Sequence, residues 1–171
     1  MRVGGLLSRQ KEKEQSDGSM PSRVEDVMVR EVVTVNENSS VKEAAEVMNK
    51  FEIGSVIVVN EGKTVGIVTE RDVLKRVVAE SKDAKKTRVG DVMTSPLVVV
   101  GPKIELEEAV KLMFQMKIKK LPVVEGKRLV GLLSLTDVAR FHPQMMRMLK
   151  QLANSQTAPK SLKKVVDRYI V

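Results

Sequence analysis

Apolar and polar positions between residues 23 and 140 follow two rhythms in succession, and the succession occurs twice. Val41, Ala44, Ala45, Met48 and Phe51 recur at the spacing of one helix face and predict a helix near 40–51. Ser40-Val41-Lys42-Glu43 opens that helix as an S-x-x-E capping box, which satisfies free N–H groups at a helix start. The runs Ser55–Val59 and Thr64–Val68 are rich in β-branched residues and flank the turn Glu61-Gly62-Lys63, so they predict a hairpin. Val73, Leu74, Val77 and Val78 mark the apolar side of a second helix, and Val32–Val35 predicts a strand before the first. Further along, Leu106, Ala109, Val110, Met113 and Met116 predict a helix near 104–116. Strands near 121–124 and 128–133 and a helix from about 135 follow, with Leu97–Val100 as the leading strand.

The second pass is a copy of the first. Arg23-Val24-Glu25-Asp26-Val27-Met28 returns as Arg88-Val89-Gly90-Asp91-Val92-Met93, and the same offset carries Ala44 to Ala109, Met48 to Met113, Gly66 to Gly131 and Asp72-Val73 to Asp137-Val138. Roughly a third of the positions match without a gap, which identifies a tandem duplication. The expected organisation is a flexible segment over 1–22, a first repeat over 23–80, a charged linker over 81–87, a second repeat over 88–141 and a basic helical tail over 142–171. Each repeat reads β-α-β-β-α and has too small a sheet to bury its apolar face alone. The expected fold is therefore α+β, with the two units packed pseudo-symmetrically through their small sheets and extra C-terminal helices near 144–153 and 161–171. The methionines at helical spacing read as core filler.

Composition narrows the chemistry. There is no cysteine, which removes disulfides, thiolate metal sites and thiol catalysis, and the single histidine, His142, is too few for a histidine-rich metal site or a Ser–His–Asp triad. No apolar run approaches the ~18 residues of a membrane span, and the first residues lack the apolar stretch of a secretory signal. A cytoplasmic, non-catalytic protein with no membrane association, no metal and no catalytic residues is expected. The net charge of +8 is uneven: residues 24–140 carry nineteen bases against eighteen acids, and residues 141–171 carry six against one. That basic tail raises nucleic acid as an alternative partner, although only Phe141 and Tyr169 supply aromatics there.

The repeated polar residues are the candidate site. Gly66-Ile67-Val68-Thr69-Glu70-Arg71-Asp72 matches Gly131-Leu132-Leu133-Ser134-Leu135-Thr136-Asp137, placing a hydroxyl at a strand end and an aspartate in the first turn of the next helix. The residues alone leave two readings open. Thr69 and Ser134 can cap their helices, with each aspartate beside the helix dipole. The same geometry can hold phosphate at the helix start and let the carboxylate accept hydrogen bonds from ribose hydroxyls.

The duplicated Asp-Val-Met starts, the Lys120-Leu121-Pro122-Val123-Val124 run and the two Gly-x-x-Thr/Ser-x-x-Asp endings resemble a tandem pair of cystathionine β-synthase (CBS) domains, a Bateman module. The resemblance covers residues 23–140. It implies a regulatory module that binds AMP, ADP, ATP or S-adenosylmethionine in clefts between the repeats, forms homodimers and signals to a protein partner that the sequence does not name. It implies no catalytic cofactor. By position, one cleft takes Thr69, Asp72 and Arg71, with walls from Met93, Val98 and Ile118. The other takes Ser134 and Asp137, with walls from Met28, Val33, Ile53 and the Gly54-Ser55 backbone. Lys119 and Lys120 match positions where a base meets phosphate. Arg71 becomes Thr136 and Gly54-Ser55 becomes Lys119-Lys120, so the clefts are expected to be unequal, with the Asp72 cleft the stronger. A structural dimerisation module with empty clefts is the further alternative.

Overall fold

The computed structural model describes residues 23–145 and Arg147. The segment 1–22 and the helices expected at 144–153 and 161–171 lie outside the described residues, apart from a helical stretch at 143–145. In chain order the elements are α1 (Val24–Val27), β1 (Thr34–Asn36), α2 (Val41–Lys50), β2 (Ser55–Asn60), β3 (Lys63–Thr69), α3 (Glu70–Val73), α4 (Leu106–Met116), β4 (Lys120–Glu125), β5 (Arg128–Ser134) and α5 (Leu135–Phe141). A π-helical turn, Leu74–Val78, continues α3, and a 3₁₀ turn spans Val89–Asp91. The α+β duplication expected from the sequence is present, with a three-stranded sheet ordered β1-β2-β3 and a two-stranded sheet β4-β5.

Local chemistry accounts for the elements. The Ser40 side chain accepts from the Glu43 N–H at 3.2 Å, while Glu43 Oε2 accepts from the Ser40 N–H at 2.7 Å, so the capping box starts α2 as expected. The connector after the first repeat also serves this helix start, because the Thr87 and Ala84 carbonyls accept from the Val41 and Lys42 N–H groups. Both hairpins carry a register shift at the same place, between Val58 and Val59 and between Val123 and Val124.

Two expectations need correction. Leu97–Val100 is not a strand; Val100 alone bridges to Val123. The cause is Pro122. In the first repeat the Ile57 N–H donates to the Val33 carbonyl at 3.1 Å and extends the β1 pairing. The matching position in the second repeat is Pro122, which has no N–H to offer Val98. The apolar side of the second helix also divides: Val73 and Val77 turn inward, but Leu74 and Val78 are 60% and 62% exposed. The Ala79 N–H bonds to the Leu74 carbonyl, five residues back, so the widened turn changes which positions share a face.

The repeats exchange their leading segments. Val24, Val27 and Met28 belong to the core of the second repeat, with Leu106, Met113, Leu121 and Leu133, whereas Val89 and Val92 belong to the core of the first. The hydrogen bonds repeat this crossing. The Val24 and Glu25 N–H groups donate to the Ile104 and Pro102 carbonyls, and the Val89 and Gly90 N–H groups donate to those of Ser39 and Glu37. Burying each such valine or methionine contributes about 1.5–3 kcal/mol, so the crossing adds to whatever holds the halves together through their sheets. The mid-strand glycines are what let the arms lie down. A Cβ on Gly131 would sit 2.4 Å from Met28 Sδ, and one on Gly66 would sit 2.4 Å from Met93 Sδ.

Gly66→Val is therefore expected to destabilise the chain by about 1–3 kcal/mol through overpacking. Adding Met93→Ala should recover part of that loss. Urea denaturation of the two single variants and the double variant checks it; strict additivity would remove the Met93–Gly66 contact as the cause.

Candidate functional site

Strand pairing brings four strand ends to one place. Ser55 pairs with Thr69 and Lys120 with Ser134. Lys120 Nζ donates to Ser55 Oγ at 2.8 Å, so two residues at equivalent positions of the repeats meet across the pseudo-twofold axis. Ser55 is buried. Beside it the Glu70 carboxylate lies over Gly54, where a Cβ would stand 3.0 Å from Glu70 Oε2, and the Glu70 N–H donates to the Gly54 carbonyl. In the second repeat the Leu135 N–H makes the same bond to the Lys119 carbonyl.

Each hydroxyl–aspartate pair forms a reciprocal cap. Asp72 Oδ2 accepts from the Thr69 N–H at 3.0 Å and from Thr69 Oγ1 at 2.6 Å, and the Asp72 N–H returns a bond to Thr69 Oγ1. Asp137 Oδ2 accepts from the Ser134 N–H and Oγ, and the Asp137 N–H donates to Ser134 Oγ. The capping reading of the sequence is realised at both sites, and it occupies one carboxylate oxygen of each aspartate.

The second oxygen differs. Asp72 Oδ1 faces Arg76 Nη1 at 3.5 Å and Thr94 Oγ1 at 3.4 Å. Arg76 also donates to the Val92 and Met93 carbonyls, at 2.6 and 2.9 Å, clamping the arm of the second repeat beside the aspartate. At the equivalent positions the second site has Phe141 and Val29, neither with a polar side chain. Among the described residues Asp137 Oδ1 accepts no hydrogen bond. Sequence reasoning missed Glu70, Arg76 and Thr94. The signal was available as a break in the repeat, since these polar residues stand opposite Leu135, Phe141 and Val29.

The apolar wall residues divide as follows. Met93 lies on Gly66 of β3 and Met28 on Gly131 of β5, so each methionine packs beside the strand that leads to its expected aspartate. Val98 and Ile118 pack on the core of the second repeat, and Val33 and Ile53 on that of the first. Ile53 also lines a groove between α2 and α3 whose apolar side is Met48, Val73, Leu74 and Val78 and whose polar side is Asn49, Glu52 and Glu70. Arg71 is exposed on α3. Among the described residues no group of three or more His, Asp or Glu side chains can hold a metal ion, and no helix is long and apolar enough to cross a membrane.

Lys120 is the electrostatic centre of the arrangement. Burial pushes its ammonium below the usual lysine pKa, and the Glu70 and Asp137 carboxylates, which favour the charged form, offset part of that effect. A lysine with a lowered folded-state pKa opposes folding while it is charged, and the penalty fades as pH rises through the folded value toward the ordinary lysine value of 10.5. Replacing both members of the contact, as Ser55→Ala/Lys120→Met, leaves neither a buried charge nor an orphaned hydroxyl. The double variant is expected to exceed the wild type in stability near pH 7, with the gap narrowing as pH approaches 10.5. Chemical denaturation at several pH values checks this, and a less stable variant near pH 7 would show that the Lys120–Ser55 contact supports the fold.

A family model described as CBS domain matches residues 24–79 and again residues 89–143. The CBS domain-containing protein YhcV of Bacillus subtilis (strain 168) is 39% identical over 118 residues, spanning 69% of this chain and 84% of YhcV. The crystal structure of the CBS-domain containing protein ATU1752 from Agrobacterium tumefaciens matches at 31% identity and a TM-score of 0.67, covering 72% of this chain and 95% of that one. The CBS domain pair of protein MJ0100, solved in complex with 5'-methylthioadenosine and S-adenosyl-L-methionine, matches at 27% identity and a TM-score of 0.66, covering 73% of this chain and 99% of that one.

Proposed function

The chain belongs to the CBS domain family, whose paired domains are regulatory modules, and we propose that this pair binds an adenosyl ligand in the cleft of Asp137 and passes its occupancy to a protein partner. The observation that carries this reading is the open Oδ1 of Asp137 beside a partly desolvated Lys120. Ribose hydroxyls donate to the free carboxylate oxygen, the Ser134 end of β5 orients it, and the Lys120 ammonium faces the ligand's phosphate. Met28 and Val33 of the arm, with Ile53 and the Gly54-Ser55 backbone, supply the apolar wall for adenine. The adenosyl ligands bound by MJ0100 support the ligand class.

The Asp72 cleft is the weaker site in this reading. A ribose entering it must displace Arg76 and Thr94 from Oδ1, and Arg76 must give up its hold on the arm or share it. This reverses the order that Arg71 and the lysine pair suggest from sequence. Lys120 is held by Ser55 in the field of Asp137, and Arg71 lies exposed on α3.

Isothermal titration of the full chain with AMP and S-adenosylmethionine, which carry no di- or triphosphate, and with GMP as control, tests the proposal. Asp137→Asn keeps a cap-competent side chain. Losing a charge-assisted contact of about 1.5–3 kcal/mol, it should weaken binding by roughly 10- to 150-fold. Asp72→Asn should change the first binding event little. Equal affinity in wild type and Asp137→Asn would overturn the assignment of Asp137.

We also propose that the pair self-associates through its helical side, where Phe51, Leu74 and Val78 of the first repeat and Met116 and Phe141 of the second are exposed apolar residues. Leu74→Glu/Val78→Glu should lower the mass measured by light scattering to that of one chain. An unchanged mass would reject this face.

A further inference from the structure

A groove of about 580 Å³ opens at the far end of the strands from Ser134, between the tips of the two hairpins and the segment that leads into β1. The seven residues of β5 run from Arg128 at this groove to Ser134 at the adenosyl cleft, a separation of about 20 Å at the rise of a strand. The two sites are therefore distinct.

Three segments deliver polar donors to this groove. Arg30 comes from the exchanged arm of the first repeat, Lys127 and Arg128 come from the β4–β5 turn, and Thr34 and Thr64 add hydroxyls from the first sheet. Arg30 Nη2 donates to the Glu25 carbonyl at 3.2 Å, which uses one of its five donors. None of the three cations lies within ion-pair distance of a carboxylate among the described residues, and no acidic side chain lines the groove. Such a lining is a donor set without an anionic acceptor.

The duplication supplies an internal control. If the fold required polar donors here, the matching positions of the other repeat would keep them. Arg30 instead corresponds to Ser95, and Thr34 corresponds to Val99. Arg128 corresponds to Lys63, also basic, and Lys127 to Gly62, which lines the same groove, so Arg30 and Thr34 are the donors that the duplication does not repeat.

We propose that the groove binds the linear di- or triphosphate group of a small ligand. The volume exceeds that of a single phosphate, and a lining with two arginines and a lysine suits the multiple charges of a condensed phosphate. That group can arrive as an inorganic polyphosphate or on a nucleotide, and the arms of the experiment separate these sources.

The test is titration of the full chain with inorganic pyrophosphate, inorganic tripolyphosphate and GTP, followed by calorimetry and by ³¹P line broadening. Saturable one-to-one binding is expected. Lys127→Ala/Arg128→Ala should weaken it by about tenfold or more, and Arg30→Ala should do so independently. All three residues are exposed, so the variants leave the core intact. Asp137→Asn should have no effect on this binding. Equal affinity for GTP and tripolyphosphate would identify the free polyphosphate as sufficient, and tighter GTP binding would point to a nucleotide. Absence of binding, or binding that survives both the double and the Arg30 variants, would overturn the proposal by returning the attraction to general charge, including that of the basic tail.

Discussion

The exchanged arms are the constraint on which the rest of the molecule depends. Val24 and Val27 complete the core of the second repeat, and Val89 and Val92 complete that of the first. Neither half then has a full core without a segment that begins the other. Each arm reaches its site by lying against a mid-strand glycine, and Gly66 and Gly131 admit Met93 and Met28 where any Cβ would collide with them. The same crossing carries the chain past the strand end that bears a hydroxyl–aspartate cap. At the first cap the arm touches the aspartate itself, through Thr94 Oγ1 at 3.4 Å from Asp72 Oδ1, so the cap lies on the seam between the halves.

The caps realise the capping reading of the motif and use only part of each aspartate. A free helix start exposes N–H groups that need acceptors, and the reciprocal Thr69–Asp72 and Ser134–Asp137 bonds supply them. Because a carboxylate has two oxygens, capping consumes only one. What the second oxygen meets is decided by residues outside the motif: Arg76 and Thr94 at Asp72, and no polar side chain from Phe141 or Val29 at Asp137. Capping is thus the shared structural duty, and availability for a ligand is set by neighbours.

Much of this was legible in the sequence. The duplication, the helix at 40–51, both hairpins and the Ser40 capping box depend on spacing and local chemistry, which a single sequence carries directly. The exchange of arms was not, because Val-x-x-Val-Met patterns specify that residues are buried but not which core receives them. The glycines at 66 and 131 hinted at close approach without naming the partner. The missing strand at Leu97–Val100 had a readable cause in Pro122, but its effect depends on knowing that position 57 donates across to Val33. At the site, Thr69, Asp72, Ser134 and Asp137 were found by their repetition. Arg76 escaped because its role is to bond the Val92 and Met93 carbonyls, sixteen and seventeen residues away, a contact that leaves no local pattern.

Where the copies differ is more informative than where they agree. Agreement falls on residues that pack or cap, such as Val24 and Val89, Met28 and Met93, Gly66 and Gly131, Asp72 and Asp137; both halves need these to fold. Where charge differs, the charged member of each pair is exposed or half-buried: Glu70 against the buried Leu135, Arg76 against Phe141, Arg30 against Ser95. A charged side chain at an edge keeps water on one side and costs the fold little, so such positions are free to diverge without loss of the shared scaffold. Lys120, opposite Ser55, is the exception. It is desolvated at the axis, its neutral form is favoured by burial, and the Glu70 and Asp137 carboxylates only partly offset this. The fold meets that cost with the Ser55 Oγ acceptor at 2.8 Å and with one carboxylate from each repeat, so the charge at the axis is partnered from both halves.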